Sequence, residues 1–121
     1  MLLTLQEAMT LIKSVMKRYG HDDNEADIIA GHLMDCEMRG LSYGGLARVL
    51  SIVDRFETIG FQRDPLTIIK QSPVSVVLDG GNQIGYLVAE KATELVVEKA
   101  LESGLAIVAA NRTWYTGMLS Y

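Results

Sequence analysis

The sequence predicts an α/β chain of the α+β kind: an N-terminal three-helix segment over residues 1–62, then the strands and one helix of an incomplete mixed sheet over residues 63–121. Three observations carry that reading. Apolar residues recur every three to four positions up to about residue 60, the spacing of a buried helix face. Beyond Pro65 they gather into short runs rich in Val, Ile and Thr, side chains that suit a pleated strand. Between the second and third of those runs the helical spacing returns once.

Thr4-Leu5-Gln6-Glu7 is a capping-box pattern, in which the threonine oxygen and the glutamate carboxylate satisfy free amides at a helix start. Leu5, Met9, Ile12, Val15 and Met16 then share one face, and Gly20 ends the helix. Residues 24–38 repeat the device, with Asp22, Asp23, Glu25 and Asp27 as a solvated acidic start and Ile28, Ile29, Leu33 and Met34 as the apolar face. After Gly44-Gly45, the positions of Leu46, Val49, Leu50, Val53 and Phe56 draw a third helix that Gly60 closes. Residues 66–70 and 74–78 read as a strand pair around Gln71-Ser72-Pro73, and Asp79-Gly80-Gly81-Asn82 carries turn chemistry. Leu87, Val88, Ala92, Leu95, Val96 and Ala100 mark a fourth helix ending at Gly104. Residues 105–110 form a continuous apolar run, predicted to be a strand buried on both faces. Gly117-Met118-Leu119-Ser120-Tyr121 reads as a helix beginning, so further chain or a second subunit is expected to complete the sheet.

At 121 residues and 49% apolar, the chain is long enough to bury a core. Its net charge of −4 lacks the clustered Lys and Arg that phosphate backbones require, which sets nucleic acid aside. No apolar run reaches membrane-spanning length and Met1-Leu2-Leu3 is too short for a signal segment, so no membrane partner is expected and a cytoplasmic location is the default. Cys36 is single and reads as a helix-packing residue. His21 and His32 are too far apart for a one-face zinc pair, so both read as structural and no metal is expected.

Three blocks carry a family resemblance. Arg39-Gly40-Leu41-Ser42-Tyr43-Gly44-Gly45-Leu46-Ala47-Arg48 is similar to an R-G-x-x-S-H-G-[LIV]-x-R segment, with Tyr43 and Gly44 replacing its Ser-His pair. Leu78-Asp79-Gly80-Gly81-Asn82-Gln83-Ile84-Gly85 is similar to V-D-G-D-N-G-x-G, and Gly104-Leu105-Ala106-Ile107-Val108 to the strand that follows it. Arg112-Thr113-Trp114-Tyr115-Thr116-Gly117-Met118-Leu119-Ser120-Tyr121 is similar to N-S-x-H-x-G-x-x-x-Y, with Tyr115 at the histidine. In this order and spacing the blocks resemble the malate/L-lactate dehydrogenase family of NAD(P)-dependent 2-hydroxy-acid/2-oxo-acid oxidoreductases, which is not of Rossmann type.

The resemblance implies a homodimer two to three times longer per chain, with NAD or NADP bound mainly by residues beyond Tyr121, so this chain reads as an N-terminal part inactive alone. No G-x-G-x-x-G loop follows a strand here. Reduction of a 2-oxo acid or cyclic imine acid needs a cation for the substrate carboxylate and an acid for the developing alkoxide. Arg48, at the family's arginine, either grips that carboxylate with its planar fork or stands as a surface arginine. Tyr115 is the candidate acid and Tyr43 a second, each alternatively a packed aromatic with a satisfied hydroxyl. Trp114 either walls the substrate or packs in the core, and Gly44 with Gly45 allows either a close main-chain approach to an anion or a left-handed turn. A phenol titrates near 10 where an imidazole titrates near 6.5, a difference of roughly 4–5 kcal/mol in base strength, so reduction is favoured over oxidation. Two rival readings remain: a non-catalytic homologue serving as a dimerisation or small-acid-binding module, and an α+β interaction domain that recruits a partner strand at its sheet edge.

Overall fold

The computed structural model describes residues 2–60 and 62–118, which fall into two compact units. The first holds the described residues up to Gln62 with Gly117 and Met118, and the second is Arg63–Thr116.

In the first unit, helix α1 (Leu5–Arg18) starts on the Thr4 capping box: the Glu7 amide donates to Thr4 Oγ1 at 3.2 Å and the Thr4 amide to Glu7 Oε2 at 2.7 Å. The Thr4 amide and hydroxyl hold the Glu7 carboxyl below its ordinary range. Ala8, Ile12 and Met16, spaced four apart, are its buried stripe, and Leu5 at the first turn is exposed. Helix α2 (Asp23–Met38) begins on a second capping box, Asp22 with Glu25. It is the most buried helix of this unit, packing extensively on α1 and also against helix α3 (Leu46–Ile59). Ala26, Ile29, Ala30, His32, Leu33, Met34 and Cys36 all lie inside. The core face of α3 is Ile52 and Phe56, whereas Leu50, expected on that face, is 75% exposed. His32 Nε2 accepts the Met118 amide at 3.1 Å, and burial pushes the imidazole below its ordinary 6.5, toward the neutral form the bond requires. Gly117 and Met118 are not helical; Leu119, Ser120 and Tyr121 lie outside the described residues.

In the second unit, strands β1 (Thr67–Ser72) and β2 (Ser75–Ile84) form an antiparallel hairpin around Pro73 and Val74. Both strands are longer than expected: β1 takes in Gln71 and Ser72, which pair with Val76 and Ser75, and β2 runs on to Ile84. Helix α4 (Gly85–Ser103) leaves β2 directly, ends at the left-handed Gly104, and returns the chain as strand β3 (Ile107–Trp114), parallel to β2 in the order β1-β2-β3. Within this chain β3 is not covered on both faces, Ile107 being 64% exposed and Leu105 68%, so the burial expected of this apolar run would need neighbours other than the described elements. As an edge strand, β3 has β2 on one side and α4 to pack against, and no other described element.

The turn expected at Asp79-Gly80-Gly81-Asn82 is instead the interior of β2, where the register against β3 slips between Asp79 and Gln83. Gly81 and Asn82 have φ of +60° and +57°, so the residues that favour a turn here build a bulge. A side chain at Gly81 would collide with the main chain of Asp64.

The roles of Gly81 and Gly104 can be tested by urea denaturation. Gly104 has open space around it, so Gly104→Ala should cost about 1 kcal/mol, while Gly81→Ala should cost roughly 3 kcal/mol through added main-chain collision. The stabilisation from a neutral His32 should be complete above pH 6.5 and lost as pH falls through the depressed folded-state value. His32→Gln, whose amide oxygen also accepts a hydrogen bond, should therefore shrink the drop in urea midpoint between pH 7.5 and 5.

Candidate functional site

The site residues expected from sequence fall in both units. Tyr43, Gly44 and Arg48 lie together on the α2–α3 connection and the first turn of α3, which has no side-chain cap of its own. A neighbouring helix supplies one: Glu37 Oε2 accepts the Leu46 amide at 2.9 Å, placing an anion at the positive end of α3. That approach depends on Gly45, where a Cβ would collide with the Glu37 side chain. Gly45 has φ −92°, so close approach rather than a left-handed turn explains the glycine. A Cβ at Gly44 would meet Cys36 Sγ at an ordinary 3.5 Å, so the packing demand falls on Gly45. Cys36 is buried, and burial pushes its thiol up and keeps it unreactive. Arg48 is the third residue of α3, half-buried, with its amide donating to Gly45 O at 2.9 Å. Tyr43 is 72% exposed.

Trp114 and Tyr115 stand together at the end of β3, and each residue leading to them is tied by its side chain to the β2 bulge. The Arg112 guanidinium donates to Asp79 Oδ2 at 2.8 Å and to Asp64 Oδ2 at 2.6 Å. Thr113 Oγ1 donates to Gln83 O at 3.1 Å, and the Trp114 indole to Asn82 O at 2.8 Å. Asp79 Oδ1 accepts the Gly81 amide at 2.8 Å; that bond first, with Arg112 alongside, holds the Asp79 carboxyl below its usual range. Arg112 and Tyr115 both have φ of +49°, a conformation that costs a side-chain-bearing residue about 1–2 kcal/mol. The Trp114 and Tyr115 rings meet edge to face, centroids 5.2 Å apart, and Tyr115 is 37% exposed. Trp114 is thus a half-buried packing partner of Tyr115.

Sequence reasoning missed Glu37, Asp64 and Asp79 as supports. The departure at Arg112 from the resembled asparagine was the available signal, because an arginine in that place needs carboxylate partners.

The glycine-rich corner at the β2–α4 junction does not fit a dinucleotide. Cβ atoms at Gly80, Gly81 and Gly85 would run into the main chain of Asn111, Asp64 and Tyr115, so these glycines admit the protein's own backbone rather than a pyrophosphate. Among the described residues no three His, Cys, Asp or Glu side chains gather as metal ligands, and no helix is long and apolar enough to cross a membrane.

Residues 3–121 match the malate/L-lactate dehydrogenase family profile. The chain is 29% identical to L-sulfolactate dehydrogenase of Methanocaldococcus jannaschii, covering 100% of this chain and 36% of that protein. It is 30% identical to malate dehydrogenase of Pyrococcus abyssi, covering 95% of this chain and 32% of that protein. The solved sulfolactate dehydrogenase from M. jannaschii superimposes with a TM-score of 0.93 at 29% identity, over 100% of this chain and 36% of that one. The chain thus spans about a third of the length of these relatives. With the sequence matched from residue 3 to 121 and the same architecture in a solved relative, the chain belongs to the malate/L-lactate dehydrogenase family.

Proposed function

We propose that the protein is an NAD- or NADP-dependent oxidoreductase that reduces a 2-oxo acid, or a cyclic imine acid, with this chain supplying the carboxylate grip and the proton. The observation that carries the reading is the match along nearly the whole chain to a family with relatives named for malate and L-sulfolactate, acids with a carboxylate beside the hydroxyl-bearing carbon. Arg48 holds that carboxylate through two parallel hydrogen bonds. Tyr115 gives its phenolic proton to the oxygen that becomes the hydroxyl, a task a neutral phenol performs near pH 7. Its backbone, held left-handed and backed by the Trp114 ring, limits the directions in which the hydroxyl points. Trp114 and Gly44 line the substrate, and exposed Tyr43 is the alternative proton donor. The nicotinamide nucleotide lies against residues outside this chain, and two copies form the working enzyme.

The replacement of both family histidines favours one second reading, a homologue that binds small acids without turnover. The two separate in one assay: protein from the complete reading frame, NADH or NADPH, and a panel of 2-oxo acids followed by loss of nucleotide absorbance. Turnover is expected, with Tyr115→Phe lowering kcat roughly 100-fold or more and Arg48→Lys raising KM roughly tenfold. Acid binding by calorimetry without turnover would establish the second reading, and unchanged kcat in Tyr115→Phe would remove the phenol from the chemistry.

A further inference from the structure

We propose that Arg112 is a positioning residue for Tyr115, acting through a closed circuit of hydrogen bonds that fixes the Trp114–Tyr115 corner; its catalytic consequence rests on the reading of Tyr115 as the proton donor. The circuit runs through four residues. Arg112 reaches Asp79 and Asp64 with different nitrogens, the Gly81 amide donates to the free oxygen of Asp79, and the Asp64 amide donates to Gly81 O at 2.8 Å. Gln83 closes it further, its side-chain amide donating to Asp64 O at 2.9 Å. Arg112 therefore joins β3 to β2 and to the segment before β1 at the point where the β2–β3 register slips.

Arg112 is itself left-handed, three residues before Tyr115, which is left-handed too. A residue held in that region persists only where surrounding bonds over-determine it. The fork of a guanidinium suits the task, because two carboxylates on different segments fix its plane, and a lysine would supply one charge without the plane. Thr113 and Trp114 then hang from Gln83 O and Asn82 O, so the direction of the chain entering Tyr115 is set before the phenol is reached. On the far side, the Tyr115 carbonyl occupies the space a side chain at Gly85 would need. In this scheme Arg112 meets no reacting atom; its effect travels through the backbone.

The test uses Arg112→Asn, which keeps a residue tolerant of the left-handed region and removes both ion pairs. Protein from the complete reading frame is labelled with 5-fluorotryptophan, and the Trp114 resonance is assigned by its loss in Trp114→Phe. In Arg112→Asn that fluorine resonance should shift or broaden by more than its linewidth, kcat for 2-oxo-acid reduction should fall about tenfold with KM within about twofold, and Arg112→Lys should fall between. An unmoved resonance in Arg112→Asn would overturn the proposal whatever the activity. A moved resonance with unchanged kcat, while Tyr115→Phe is impaired, would overturn it as well. If Tyr115→Phe itself leaves kcat unchanged while the resonance moves, the circuit's hold on the corner stands and the assignment of the acid fails. Should Arg112→Asn not fold, Asp64→Asn removes one arm and leaves the Asp79–Gly81 bond, and the same resonance decides in the same way.

Discussion

The carboxylate of Asp79 sits where the second unit changes register, and most of what surrounds it follows from its two oxygens. One takes the Gly81 amide and makes the bulge; the other takes Arg112 and draws β3 alongside. A strand pair with a slipped register has backbone groups that the ladder no longer serves, and buried groups of that kind must find partners. Here side chains supply them: Thr113 and Trp114 donate to the carbonyls of Gln83 and Asn82 on the bulged strand. The irregular stretch of β2 thus takes side-chain bonds at the Gly81 amide and at the Asn82 and Gln83 carbonyls, alongside the left-handed Arg112 and Tyr115 at the end of β3.

The first unit solves a similar problem with a different partner. Helices α1 and α2 cap themselves from within their own first turns, through Thr4 with Glu7 and Asp22 with Glu25. Helix α3 begins at Gly45, which has no side chain to offer, and the cap is borrowed from the last turn of α2. The connection carrying Tyr43, Gly44 and Arg48 is thereby anchored at both ends, by the left-handed Gly40 after α2 and by Glu37 at α3.

What the sequence disclosed divides along the range of the interactions. The helices and their caps were legible because a capping box spans three residues and a closing glycine marks its own position, and the α+β class and family resemblance were legible because ordered motifs survive single substitutions. The bulge was misread as a turn because Asp, Gly and Asn serve both purposes, and only the pairing of Gln83 and Ile84 with Thr113 and Trp114 tells them apart. The strand at the end of the apolar run 105–110 was legible, but how far it is covered was not, because apolar composition gives strand propensity without saying how many neighbours are at hand. Tyr115 was singled out by its place in a motif, while its supports were invisible, since Arg112 meets carboxylates 33 and 48 positions away.

The contact between Glu37 and Gly45 bears on how this chain can change over generations. The two positions share one volume: the carboxylate lies where a side chain at 45 would have to go. A lineage that gains any side chain at 45 must also shorten or turn away residue 37, and one that loses the carboxylate at 37 leaves the glycine at 45 without a reason to persist. Turning the carboxylate away would also take it from the Leu46 amide, so a side chain at 45 comes at the expense of the α3 cap. The helix that presents Arg48 is in that sense inherited together with the end of the helix before it.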